Sequence, residues 1–86
     1  MANIASQKKR IQRTERERLE NRRVTGAVGT HFRRFERAIE SGDESAVERE
    51  HRELVSRIDK AVRNGALHAN TAARKKSRAA RLRAAS

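Results

Sequence analysis

Large apolar residues fall into a regular stripe only from position 24 onward. Val24, Val28, Phe32, Phe35 and Ile39 step by four, four, three and four residues, the spacing of one helical face turned to a core. Upstream, Ile4, Ile11 and Leu19 are too sparse to bury a face. Yet no Pro interrupts the run from Ser6 to about Glu40, and its glycines are Gly26 and Gly29. Each costs about 1 kcal/mol against Ala in a helix interior. The pattern predicts one long helix, capped by Asn3 or Ser6, whose second half packs and whose first half projects. Gly26 and Gly29 mark a kink, a close approach of another backbone, or simply a tolerated helix interior.

Glu40-Ser41-Gly42-Asp43 reads as a stop and a restart. Gly42 suits the left-handed position after a helix. Asp43 or Ser45 can cap the next one, and Ser45-Ala46-Val47-Glu48 has the capping-box form. A second stripe follows in Val47, His51, Leu54, Ile58 and Ala61/Val62, running to about Asn64-Gly65. Its outer face carries Glu48/Arg52, Glu53/Arg57 and Asp59/Arg63, acid four residues before base, the better orientation on a helix. Ala66-Leu67-His68-Ala69 then crosses to a third helix, expected to start at Thr71 with Asn70 as its N-cap. On that helix Ala73, Ser77, Ala80 and Ala84 share a face of small side chains that lets a neighbour approach. Arg74, Arg78 and Arg81, with Lys75 beside them, share another. Short connections make neighbouring helices antiparallel. The expected fold is all-α, an up-down-up three-helix bundle with a long basic N-terminal helix overhanging the other two.

Charge sharpens this division. Residues 1–25 carry eight Lys/Arg against three Glu, residues 26–65 eight against eight acids, and residues 66–86 six against none. The single domain of 86 residues therefore divides into a basic arm (1–23), a neutral helical scaffold (24–65) and a basic C-terminal helix (66–86). A net charge of +11 with its excess at both ends points to a polyanion. Arg offers a planar fork that suits phosphate oxygens. Aromatics make up 2% of the chain, so there is no platform for stacking single-stranded bases. The surface suits double-helical nucleic acid read by backbone and shape.

Other chemistry is thinly represented. There is no Cys, hence no disulfide or thiolate metal site. His31 and His51 border the apolar stripes and read as satisfied core-edge residues. His68 stands before the basic helix, where it can touch phosphate or cap the helix end. Neither a nucleophile with its base nor a phosphate-binding Gly loop occurs, so no enzyme is expected, and no cofactor or metal. The basic N-terminus is followed by no apolar run of signal-peptide type, and no run approaches a membrane span. Leu82 alone makes a poor apolar face for a membrane-surface helix. From the two basic clusters, Lys8, Lys9, Arg10, Arg13, Arg16, Arg23, Arg74, Lys75, Lys76, Arg78 and Arg81 are candidate phosphate contacts, with His68 between the second and third helices.

Several blocks also resemble a known family. Ala2-Asn3-Ile4, Ser6 and Lys8-Lys9-Arg10-Ile11 are similar to the start of the S-twenty family of bacterial small-subunit ribosomal proteins. So are Ala38-Ile39-Glu40-Ser41-Gly42-Asp43, Asp59-Lys60-Ala61 and the run from Gly65 through His68 and Asn70 to Arg78. The resemblance spans the chain and implies a three-helix protein bound directly to 16S ribosomal RNA. It implies a place among helices of the 5′ domain and against the long penultimate helix, a structural role in assembly, few protein contacts, no assembly with copies of itself, and a cytoplasmic location in the 30S subunit. By the same resemblance Asn3, Ser6, Lys8, Lys9 and Arg10 lie on RNA, with Asn70, Thr71, Arg74, Lys75, Lys76 and Arg78. The family often carries Lys where Ala5 and Ala69 stand here. The competing reading from charge alone is a basic DNA-compacting protein of the nucleoid.

Overall fold

The computed structural model describes residues 4–85, all within three helices and two short connections. Helix α1 spans Ile4–Ser41, α2 Glu44–Arg63 and α3 Ala69–Ala85. They run up, down and up. The first helix, 38 residues, is about 57 Å long at 1.5 Å per residue. The principal extents are 63 × 21 × 13 Å. The radius of gyration is 17.4 Å, against about 12 Å for a compact chain of this length. The excess is the overhang of α1.

The core begins where the apolar stripe begins. Val28, Phe32, Phe35 and Ala38 of α1 meet Val47, Leu54, Ile58 and Ala61 of α2 and Ala72 and Ala79 of α3. Val24, Ile39, Ala46, Val62, Ala66, Leu67 and Leu82 close its edges. Ahead of Val24 the large side chains have nothing to pack on: Ile4 is 70% exposed, and Ile11 and Leu19 are 59% exposed.

The connections follow backbone necessity. Gly42 and Gly65 adopt φ of 74° and 73°, the left-handed region that a Cβ disfavours. After α2 the Ala66 N–H donates to the Ala61 carbonyl (2.9 Å) and the Gly65 N–H to the Val62 carbonyl (3.0 Å), the paired bonds of a Schellman ending. Asp43 caps α2, its Oδ1 accepting from the N–H of Ser45 (3.0 Å) and of Ala46 (3.4 Å). The capping box expected from Ser45 and Glu48 does not form, because Asp43 is the cap and Ser45 lies inside the first turn; Glu48 accepts from Arg52 at 3.0 Å.

Of the alternatives for Gly26 and Gly29 the tolerated helix interior holds: the helix runs unbroken through both, and no other backbone approaches either. Other expectations are corrected. Ser6 lies inside α1 and so is not its cap, while Asn3 and the Ser6 side chain lie outside the described residues. Helix α3 starts at Ala69, earlier than Thr71, which makes Asn70 a helical residue rather than the cap. His68 does the capping: its Nδ1 accepts from the Asn70 N–H at 3.1 Å, and its carbonyl accepts from Ala72 at 3.0 Å. The packed face of α3 also differs. Ala72 and Ala79 are buried, while Ala73, Ser77, Ala80 and Ala84 face outward.

Candidate nucleic-acid interface

Three side-chain contacts fix the rotation of α3, and each ties a basic residue to the scaffold. Lys76 forms an ion pair with Asp59 of α2. Arg78 lies over the ring of Phe32 on α1, its guanidinium carbon 5.1 Å from the centroid. Arg83 donates from Nη1 to Nδ1 of His51 on α2 at 3.0 Å. The Lys76 contact replaces the expected Asp59/Arg63 pair, since Asp59 turns to the neighbouring helix instead. With α3 held this way, Arg74, Arg81 and Arg78 face solvent, and Lys75 and Lys76 are half-buried beside Ala72 and Ala79. Arg74, Arg78 and Arg81 therefore share an exposed face as the spacing predicts, although the row of small residues beside it is not the packed one.

The arm presents its cations differently. Lys8, Lys9, Arg10, Arg13, Arg16, Arg18, Arg22 and Arg23 are all exposed on a helix with no neighbour. Arg13 donates from Nε to Glu17 at 3.4 Å. Among the described residues this is the arm's one ion pair, so Glu15 and Glu20 leave the remaining arginines unneutralised. An exposed pair of this kind is worth a few tenths of a kcal/mol and yields readily to a phosphate.

The middle of the chain is neutral in net charge, partly through ion pairs on α2. On α2, Arg52 bonds Glu48 and Arg57 bonds Glu53, each at 3.0 Å. Arg49 lies 3.9 Å from Glu50. Four acids of α2 thus stand against three of its own arginines and Lys76, and the eight Lys/Arg of residues 26–65 are balanced by eight acids, whereas the two ends carry an excess of cations. Long-range attraction for a polyanion is left at two places on one rigid frame.

The histidines divide. His51 stacks on Phe35, centroids 5.1 Å apart and planes tilted by 32°. Burial first, and then the charge of Arg83, hold its pKa below 6.5, so it is neutral and accepts the Arg83 bond. His31 departs from the satisfied core-edge expectation, because its Nδ1 is buried without a hydrogen-bond partner. The exposed His68 spends Nδ1 on the cap of α3, which leaves the Nε2 side of the ring for an outside partner. Asn70 and Thr71 lie exposed in the first turn of α3 beside it. The sequence pattern missed Phe32 and His51 as anchors for basic residues. The signal was there in two rings on the stripes, but only their distance to α3 reveals the use.

Among the described residues no helix is long and apolar enough to cross a membrane, and no group of three or more His, Cys, Asp or Glu is placed to hold a metal ion.

Comparison with known proteins agrees with this geometry. The family model described as Ribosomal protein S20 matches residues 2–83. The chain is 47% identical to small ribosomal subunit protein bS20 of Corynebacterium efficiens over 81 residues, 94% of this chain and 93% of that protein. It is 45% identical to the protein of the same name from Frankia casuarinae over 84 residues, 98% and 94% of the two chains. The protein of that name from Corynebacterium aurimucosum is 46% identical over 77 residues, 90% and 88% of the two.

Proposed function

The chain belongs to the ribosomal protein S20 family, and from that premise we propose that it binds 16S ribosomal RNA directly and bridges separate RNA segments during assembly of the small subunit. As a member of that family it is a structural component of the small ribosomal subunit in the bacterial cytoplasm, not an enzyme.

One observation supports the finer reading most. Net positive charge sits at two places, the exposed arm and α3, while residues 26–65 carry eight Lys/Arg against eight acids. A protein that coated one anionic surface would not need a net-neutral middle. In this reading residues 1–23 are an RNA-gripping arm, 24–65 a scaffold and 66–86 a second grip. Lys8, Lys9, Arg10, Arg16 and Arg23 contact phosphates along the arm, with Arg13 joining when it leaves Glu17. Asn3 and Ser6 extend this contact toward the N-terminus. Arg74, Lys75, Arg78 and Arg81 do the same from α3, and His68, Asn70 and Thr71 serve at its N-terminal end, where free N–H groups favour an anion. Lys76 joins when it leaves its ion pair with Asp59. The two RNA partners are the 5′ domain and the long penultimate helix.

Chemical probing of naked small-subunit RNA with and without the purified protein tests this. Protection in both regions is the expected result. Protection in one region alone would reject the bridge. No protection, together with equally tight binding to random duplex DNA, would reject direct RNA recognition in favour of general nucleic-acid coating.

A further inference from the structure

Arg78 stands apart from the other cations of the two grips. Among the described residues no carboxylate lies within ion-pair distance of it, and its guanidinium sits over the Phe32 ring at 5.1 Å. Phe32 is 8% exposed. It meets Phe35 at 6.2 Å with the planes 80° apart, and Phe35 is fully buried. The ring under Arg78 is thus fixed in the core of α1, while Arg78 belongs to α3.

We propose that Phe32 is a positioning residue for RNA binding: its ring holds the Arg78 guanidinium as a preformed phosphate fork at the junction of α1 and α3. This rests on the RNA-binding reading above. A guanidinium over an aromatic ring is attracted by the ring's negative face and spends no donor on a carboxylate. Its N–H donors lie in its own plane and stay available for a pair of phosphate oxygens. A free surface Arg must give up rotamer freedom to make that bidentate contact. Contact with the ring restricts Arg78 before RNA arrives. An ion pair would fix the side chain too, but would spend the donors and cancel the charge, as Asp59 does for Lys76. The contact with Phe32 does neither, and it places the fork across the seam between two helices, so RNA held there also holds α3 onto α1.

The test is a double-mutant cycle in RNA affinity, using the full chain and a small-subunit RNA fragment that the wild type protects. Phe32→Leu keeps an apolar core residue and the Arg78 charge but removes the platform. It is expected to weaken binding about two- to fivefold, the equivalent of an exposed cation–π contact. The salt slope should hold, because the phosphate contact is weakened rather than deleted. In an Arg78→Ala background the same change is expected to have no further effect. Phe32→Tyr, which restores a ring, should restore affinity. An equal drop in affinity from Phe32→Leu with and without Arg78 would overturn the proposal, because Phe32 would then act through stability alone. Circular dichroism checks that Phe32→Leu folds. Should it not fold, Arg78→Lys takes its place: the same charge without the fork should bind more weakly at an unchanged slope, and wild-type affinity would overturn the proposal. Failure of the wild type to protect the RNA would instead count against the RNA-binding reading.

Discussion

Individual residues here often do work that their type does not announce. His51 sits on an apolar stripe, yet its ring links all three helices by stacking on Phe35 and accepting from Arg83. Burial and the Arg83 charge lower its pKa from 6.5, so the folded protein takes up this proton at a lower pH than the unfolded chain does. Stability rises with pH wherever the unfolded state binds more protons. The His51 contribution is therefore fully present above about pH 6.5 and is lost as pH falls from there through the lowered folded-state value. Urea midpoints should drop between pH 7.5 and 5 more steeply for the wild type than for His51→Gln, which is neutral throughout. Parallel pH profiles for the two proteins would remove His51 from the account. Asp43 is the simpler case. Its carboxylate takes two N–H groups at the start of α2, and Asp43→Ala should cost about 1 kcal/mol in thermal or urea unfolding. A cost near zero would mean that water serves those donors as well as the carboxylate does.

At the scale of the helix, what could be read in advance depended on side-chain size. The α1 and α2 stripes were legible because Val, Phe, Leu and Ile mark one face and nothing else competes with it. All five stripe residues of α1 do lie in or against the core. The α3 face was not legible, because its small residues lie all round the helix and any of several Ala rows could pack. Three polar contacts decide the matter, through Lys76, Arg78 and Arg83, and none follows from periodicity. The start of α3 was misplaced for a similar reason. Asn is a common cap, whereas a His that caps through Nδ1 leaves no pattern to recognise. The arm poses the opposite problem: its helical state is legible while its packing partner is missing. Gly26 and Gly29 are interior helical residues with open space where a Cβ would stand, apart from the Arg33 side chain 4.0 Å from Gly29. Gly26→Ala should thus raise the stability of the free protein by about 0.5–1 kcal/mol, read from urea unfolding. A decrease would show that the glycine serves the free fold in some way that open space does not reveal. If free stability rises and RNA affinity falls, the missing side chain leaves room for the RNA.

Taken whole and read as proposed, the molecule separates two basic grips from a net-neutral scaffold. Arg10 precedes Val24 by fourteen residues, so it stands about 21 Å beyond the packed part of α1. The α3 cations Arg74 and Arg81 ride on the packed part itself. At such a separation in a frame 63 Å long, the two grips share no side-chain partners and should act independently. This gives a quantitative expectation. Replacing Lys8, Lys9 and Arg10 by Ala should lower the slope of log affinity against log salt, as should replacing Arg74 and Arg81. Every phosphate that a variant no longer neutralises takes roughly 0.7–0.9 of a unit from the slope, and the combined variant should show the sum of the two reductions. Arg52→Ala on α2 supplies the control: that arginine already faces Glu48 at 3.0 Å, so the slope should not move. If one basic set leaves the slope untouched while the other carries it all, that set is solvated surface and the protein holds RNA from a single end. If the reductions fall short of additive, the two grips touch one continuous stretch of backbone, and the length of α1 serves reach rather than bridging.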